Sequence, residues 1–229
     1  MNARARSTLV WLVASLLLAA CGGSSSSTSS SSSTAASSRG ATGAQQPSST
    51  IQANSIGPED VFLEQGPQLA PASTTTQGAT VDGIQCAPIE QLAYHIHAHL
   101  QVYVNGQPRQ LPPAIGLVDP VAQQTPNGEF YGAQKCYYWL HTHAADGIIH
   151  IESPTPRIYT LGNFFDEWRQ PLSAKQVGSA TGKVTAFLNG KPWTKGLRAI
   201  PLKKHFVVQL DVGTPTVPFH SVSFGSAGL

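Results

Sequence analysis

The stretch YHIHAHLQVYVNGQPRQLP, residues 94–112, decides the fold class. From Tyr94 to Val104 the residues alternate: Ile96, Ala98, Leu100, Val102 and Val104 fall on one face, and His95, His97, His99, Gln101 and Tyr103 on the other. A period of two belongs to extended chain, whose successive side chains point to opposite sides, so this is a strand that carries its histidines in register. Asn105-Gly106 follows, the dipeptide of tight hairpin turns of the primed type, and Gln107 to Pro112 can return as the partner strand.

Outward from there, similar runs mark strands at Tyr137 to His143, Gly147 to Glu152, Arg157 to Thr160, Lys183 to Leu188 and His205 to Val212. The segments VYVNGQPRQLPPAI (102–115) and AFLNGKPWTKGLRAI (186–200) echo each other as strand, Asn-Gly, one residue, Pro and return; duplication and coincidence both accommodate this. One helix is expected, because Leu161, Phe164, Phe165 and Trp168 recur at i, i+3, i+4 and i+7, Thr160 or Asn163 can cap it, and Pro171 ends it. Its aromatic stripe reads as a lid over one end of a β core, with a ligand-facing wall as the alternative. The class implied is mainly β: an antiparallel sandwich or partly open barrel with one short amphipathic helix, preceded by a disordered tether.

The chain has eight histidines, and three of them lie in WLHTHAADGIIHIES, residues 139–153. If Asp146-Gly147 is a two-residue turn, His143 lies opposite His150 and His141 opposite Glu152. A four-residue loop from Ala144 to Gly147 pairs His141 with His150 instead. Either register keeps His141, His143, His150 and Glu152 on one face, with Trp139 beside them, whereas a bulged three-residue loop would break the parity. Opposed residues on an antiparallel pair have Cβ atoms about 5 Å apart, close enough for two imidazoles to reach one ion at nitrogen–metal distances of about 2.0–2.1 Å. Each His-x-His is therefore half a metal site.

The candidate metal ligands are His97, His99, His141, His143 and His150, with His95 and Glu152 supporting them. The plainer alternative is a polar face whose His and Glu side chains satisfy one another. His205 and His220 read as ordinary surface residues. Imidazoles with at most one carboxylate suit a divalent transition metal such as zinc or copper and argue against Ca or Mg. The one methionine is Met1, in the leader segment, so a methionine-based Cu(I) site is excluded.

Arg4 and Arg6 precede an apolar run from Leu9 to Ala20, the pattern of a secretory signal, at about 12 residues too short to span a bilayer. The expected division is a signal segment at 1–20, a linker at 21–80 and one β-rich domain at 81–229. Between Cys21 and Glu59 the only charged residue is Arg39, and this Ser/Thr-rich composition cannot bury enough apolar surface to order itself. Docking of Ile56 to Leu69 on the domain as an irregular strap is the alternative for that part. With Cys21 set aside, Cys86 and Cys136 remain as a pair, and in an exported protein the expectation is a disulfide between them. A net charge of +2 with no basic cluster argues against a nucleic-acid partner.

LAAC, Leu18 to Cys21, resembles the lipobox of bacterial lipoproteins. That resemblance implies lipid attachment at Cys21, membrane anchorage and an extracytoplasmic place in the cell envelope. The residue after Cys21 is Gly22 rather than Asp, which favours the outer membrane in a two-membrane cell. The blocks HIHAHLQVYVNGQPRQLPPAIGL, YWLHTHAADGIIHIESP, YTLGNFFDEWRQPLS and HFVVQLDVGTP resemble a family of exported His-rich β proteins of bacteria and archaea, which brings no activity to transfer. The His-x-His strand is also similar to the zinc strand of alpha-type carbonic anhydrases, but this domain is shorter and has nothing else of that family's sequence. Two functions follow: a metal-binding envelope protein, or a metalloenzyme of hydrolase or lyase type with three histidines, an open position and Glu152 as general base. A metal-free interaction module is the third.

Overall fold

The computed structural model describes residues 55–225 and 228–229; the expected signal segment, Cys21 and the expected linker up to residue 54 lie outside them. Among the described residues the protein is mainly β, with one α-helix and no closed barrel. The strand marked by the alternation runs Tyr94–Val104 as read, and it is the spine of a seven-stranded sheet. Along one edge its first half pairs antiparallel with Ile148–Ser153 and its second half with Gln107–Arg109. The other edge takes Val207–Val212 in parallel. Val184–Leu188 and Lys191–Pro192 continue the sheet on that side, and Leu140–His141 closes it beyond Ile148–Ser153.

Both Asn-Gly turns form. Asn105 and Gly106 have φ 51° and 76°, Asn189 and Gly190 have φ 49° and 76°, and in each case the flanking residues pair across a two-residue loop. Asn tolerates the left-handed region and Gly has no side chain to clash there, which is why this dipeptide suits a primed turn. The two echoing segments are thus two hairpins, one on each side of Val207–Val212.

Ala98, Leu100, Val102, Ile149, Ile151, Leu140, Val208 and Leu210 fill one face of the sheet and join the core. The helix Leu161–Trp168 packs on this core through Leu161, Phe164, Phe165 and Trp168, all fully buried, so its aromatic stripe is the lid and not a ligand wall. Thr160 caps it in a reciprocal pair with Asn163, which satisfies two backbone N–H groups that a helix start leaves open. The disulfide Cys86–Cys136 is present, with Cα atoms 5.3 Å apart.

Three sequence expectations need correction. The expected strand from Tyr137 to His143 is two: Gly128–Tyr138 ends before Trp139, and Leu140–His141 starts anew in the large sheet. Trp139, expected beside the histidines, packs against the core near Tyr159 because the strand breaks at that residue. A long hairpin, Leu117–Thr125 with Gly128–Tyr138, was not anticipated from the sequence. Asp119 and Pro120 interrupt its pattern and produce a register shift there.

The third correction concerns the linker boundary. Residues 55–80 are part of the folded unit: Val61, Leu69 and Ala70 are buried, and Glu64 N–H donates to the Ala145 carbonyl at 2.9 Å. Three apolar side chains spaced along a polar stretch suffice to hold a strap once a sheet face exists to receive them, though they form no periodic run.

Candidate metal centre

Register builds the site. Pairing of Tyr94–Val104 with Ile148–Ser153 sets His97 opposite His150 and His95 opposite Glu152. Pairing of Leu140–His141 with the same strand sets His141 opposite His150. This is the four-residue-loop register; the two-residue turn, with His143 opposite His150, does not form. His97, His150 and His141 thus make a row across three strands, and His150 is its middle. The face opposite is the apolar core, so the histidines sit on the other side, beneath the strap.

His143 lies outside any strand and is brought in by the long hairpin. Its backbone carbonyl accepts from Tyr131 N–H at 3.0 Å, its Nδ1–H donates to the Tyr131 carbonyl at 2.6 Å, and its ring stacks on Phe130 at 4.3 Å. His141 Nδ1–H donates to the Tyr138 carbonyl at 2.8 Å. A carbonyl can only accept, so both imidazoles carry their proton on Nδ1 and present a lone pair at Nε2. Those two Nε2 atoms are 3.0 Å apart. Two lone pairs at that distance repel unless a cation lies between them.

A proton is disfavoured in that role. Burial, then the charge of His150, pushes His143 down to about 4, and burial, then His143, holds His141 well below the usual imidazole value. His97 is pushed to about 2, chiefly by burial and next by His150. His150 differs. Burial opposes its charge, but hydrogen bonds with Glu152 and Glu59 outweigh that and raise it to about 10.

The remaining donors converge on His150 and Glu152. His150 Nε2–H donates to Glu59 Oε1 at 2.6 Å, while Nδ1 is 3.1 Å from His97 Nε2 and 3.2 Å from Glu152 Oε1. His95 Nε2 is 2.9 Å from His97 Nε2 and 3.0 Å from Glu152 Oε1. Glu152 Oε2 is 3.9 Å from His141 Nε2 and buried without a hydrogen bond. Glu59 and Asp146 share a hydrogen bond between their carboxyl groups, Asp146 being pushed towards its protonated form by burial. Glu152 Oε2 has no such partner, and a buried carboxylate oxygen left open beside imidazoles suits a bound cation. The donors form two overlapping groups able to hold a metal: His95, His97, His150 and Glu152, and His141, His143, His150 and Glu152.

His99 belongs to neither group. It shares the face, but its Nε2–H donates to the Asp146 carbonyl at 2.8 Å, and it lines a cavity of about 580 Å³ between the strap and the residues around His220. His205 and His220 are exposed, as expected. Two acids escaped the sequence reading. Glu59 sits in the strap and touches His150, and burial is outweighed there by the His150 hydrogen bond, which keeps its carboxyl below the usual range. Glu90 Oε1 lies 3.4 Å from His143 Nε2. The only signal for Glu59 is that it is the first acid in the linker-like stretch.

Comparison with protein-family models, curated proteins and solved structures finds no match to this chain. Among the described residues no helix is long and apolar enough to cross a membrane.

Proposed function

We propose that this protein binds a divalent transition metal, zinc or copper, and does so as an extracytoplasmic protein anchored in the cell envelope by lipid at Cys21. The observation that carries the metal reading is the opposition of His141 Nε2 and His143 Nε2 at 3.0 Å, with both Nδ1 protons already given to carbonyls. That arrangement fixes two ligand imidazoles in tautomer and orientation before the ion arrives. His150 and Glu152 lie within reach of them, in a nitrogen-rich set of the kind that takes zinc or copper.

Binding rather than catalysis is favoured by where the space is. Two cavities, of about 580 and 650 Å³, are lined by residues outside this group, and Glu152, the candidate general base, is only 2% exposed. The sequence features that support the anchor are LAAC at Leu18–Cys21 and the Ser/Thr-rich run that follows.

The test is elemental analysis and competition titration of the full-length chain with zinc and copper. Metal is expected at one equivalent or more, and His141→Ala and His143→Ala should each weaken binding at least tenfold, whereas His99→Ala should change it less than twofold. Absence of uptake of either ion would sink the reading. Mass spectrometry of the membrane fraction tests the anchor separately: a diacylglyceryl adduct at Cys21 is expected, and Cys21→Ala should release the protein.

A further inference from the structure

The six donors do not fall within one coordination sphere: His95 and His97 belong to one group, His141 and His143 to the other, and only His150 and Glu152 are common to both. His150 can serve one ion only, because its Nε2 is taken by Glu59 at 2.6 Å. Its Nδ1, 3.2 Å from Glu152 Oε1, is also 3.1 Å from His97 Nε2, which assigns it to the His95–His97 side. Glu152 has no such limit. Its Oε1 lies 3.0 Å from His95 Nε2 and 3.2 Å from His150 Nδ1, and its Oε2 faces the other way, 3.9 Å from His141 Nε2, without a hydrogen bond. A carboxylate whose two oxygens face two separate nitrogen sets is the arrangement found between ions about 3.5–4 Å apart in two-metal sites.

On the His141 side Glu90 also approaches, its Oε1 3.4 Å from His143 Nε2. The buried Glu59 and Glu152 and the half-buried Glu90 surround the histidines, and no Lys or Arg contacts any of them in an ion pair among the described residues. We infer that the centre holds two divalent ions, one on His95, His97 and His150 and the other on His141 and His143, bridged by the two oxygens of Glu152.

This rests on the metal-binding reading, and the test separates the two. The full-length chain, stripped with a chelator and reloaded with Cu(II), is expected to take up two equivalents, and the paired variants H95Q/H97Q and H141Q/H143Q one each. Uptake of one equivalent by the unaltered chain overturns the bridged pair while leaving the metal reading intact, and uptake of none overturns both. Two equivalents retained by H95Q/H97Q also overturn the assignment. Since a paired variant can fail to fold, the loaded unaltered chain is read by electron paramagnetic resonance as well. A half-field transition, or an intensity below that of two independent Cu(II) ions, is expected; the full intensity of two uncoupled ions overturns the bridge.

Discussion

Gly147 occupies a point at which no side chain fits. Its φ is 80°, and a Cβ there would lie 2.6 Å from both His99 Nε2 and the Leu100 carbonyl, and 2.8 Å from Glu64 Oε1. Its own carbonyl accepts from Leu100 N–H at 2.9 Å, so the position cannot drift away without losing a sheet bond. Gly147→Ala should therefore cost about 1–3 kcal/mol of stability, read from the urea midpoint. His150 gives a pH test. Held near 10 in the metal-free protein, it carries both ring protons at pH 7, and binding an ion through Nδ1 must expel one. Calorimetry in buffers of different ionisation enthalpy should find roughly one proton released per His150-bound ion at pH 7, with affinity rising as pH increases. The signs for metal-free stability are opposite for two neighbours. His143, lowered from 6.5 to about 4, favours folding in its neutral form, so its contribution is lost as pH falls from 6.5 through 4. His150, raised from 6.5 to about 10, contributes fully below 6.5 and loses that contribution as pH rises through 10. At this scale the histidine-rich face was legible, because His-x-His on a period of two is a local pattern, but the pairing on Tyr94–Val104 was not: His95 joins His97 in a candidate donor group, while His99 turns to the Asp146 carbonyl. Glu59 was not, because its partner His150 is 91 residues away and nothing near Glu59 encodes that contact.

Among the elements, those that read clearly are the ones whose signal is local and whose one face is buried. Tyr94–Val104 and both Asn-Gly hairpins are of this kind. The hairpin Leu117–Thr125 with Gly128–Tyr138 was illegible for the converse reason: from Asp119 to Gln124 its first strand is exposed on both faces, so no alternation is imposed on it. Yet it supplies the Tyr131 carbonyl and the Phe130 ring that orient His143. The strap was legible only as the alternative to a linker because Val61 and Leu69 are isolated among polar residues, although each is almost fully buried. Burying one such side chain is worth about 1.5–3 kcal/mol, so a chain beginning at Ser73 should lose roughly 3 kcal/mol or more in chemical denaturation. It should also bind metal at least tenfold more weakly, since Glu59 goes with the strap. Glu59→Gln separates the two effects: it should weaken metal binding while shifting the denaturation midpoint far less than the truncation.

Over the whole molecule the class was legible, but which strands are neighbours was not, and the site depends on that. Nothing in the alternation of Tyr94–Val104 says that Val207–Val212 will lie parallel on one side, or that Ile148–Ser153 will place His150 between His97 and His141. Ladders between distant segments are selected by the total fit of the core and leave no local trace. The row of histidines across three strands has a consequence for the order of events in folding. His97 and His150 are separated by 53 residues and Glu59 and His150 by 91, so the donors assemble only after the sheet has closed loops of that size. An ion cannot nucleate such an assembly, because it has no preformed pair spanning those loops to hold in the open chain. If the centre binds metal as proposed, the stabilisation should enter after the rate-limiting step, as that of late-forming contacts does. In stopped-flow measurements, saturating metal should leave the refolding limb of the chevron nearly unchanged and lower the unfolding limb, so that the bound ion works as a latch on escape from the native state.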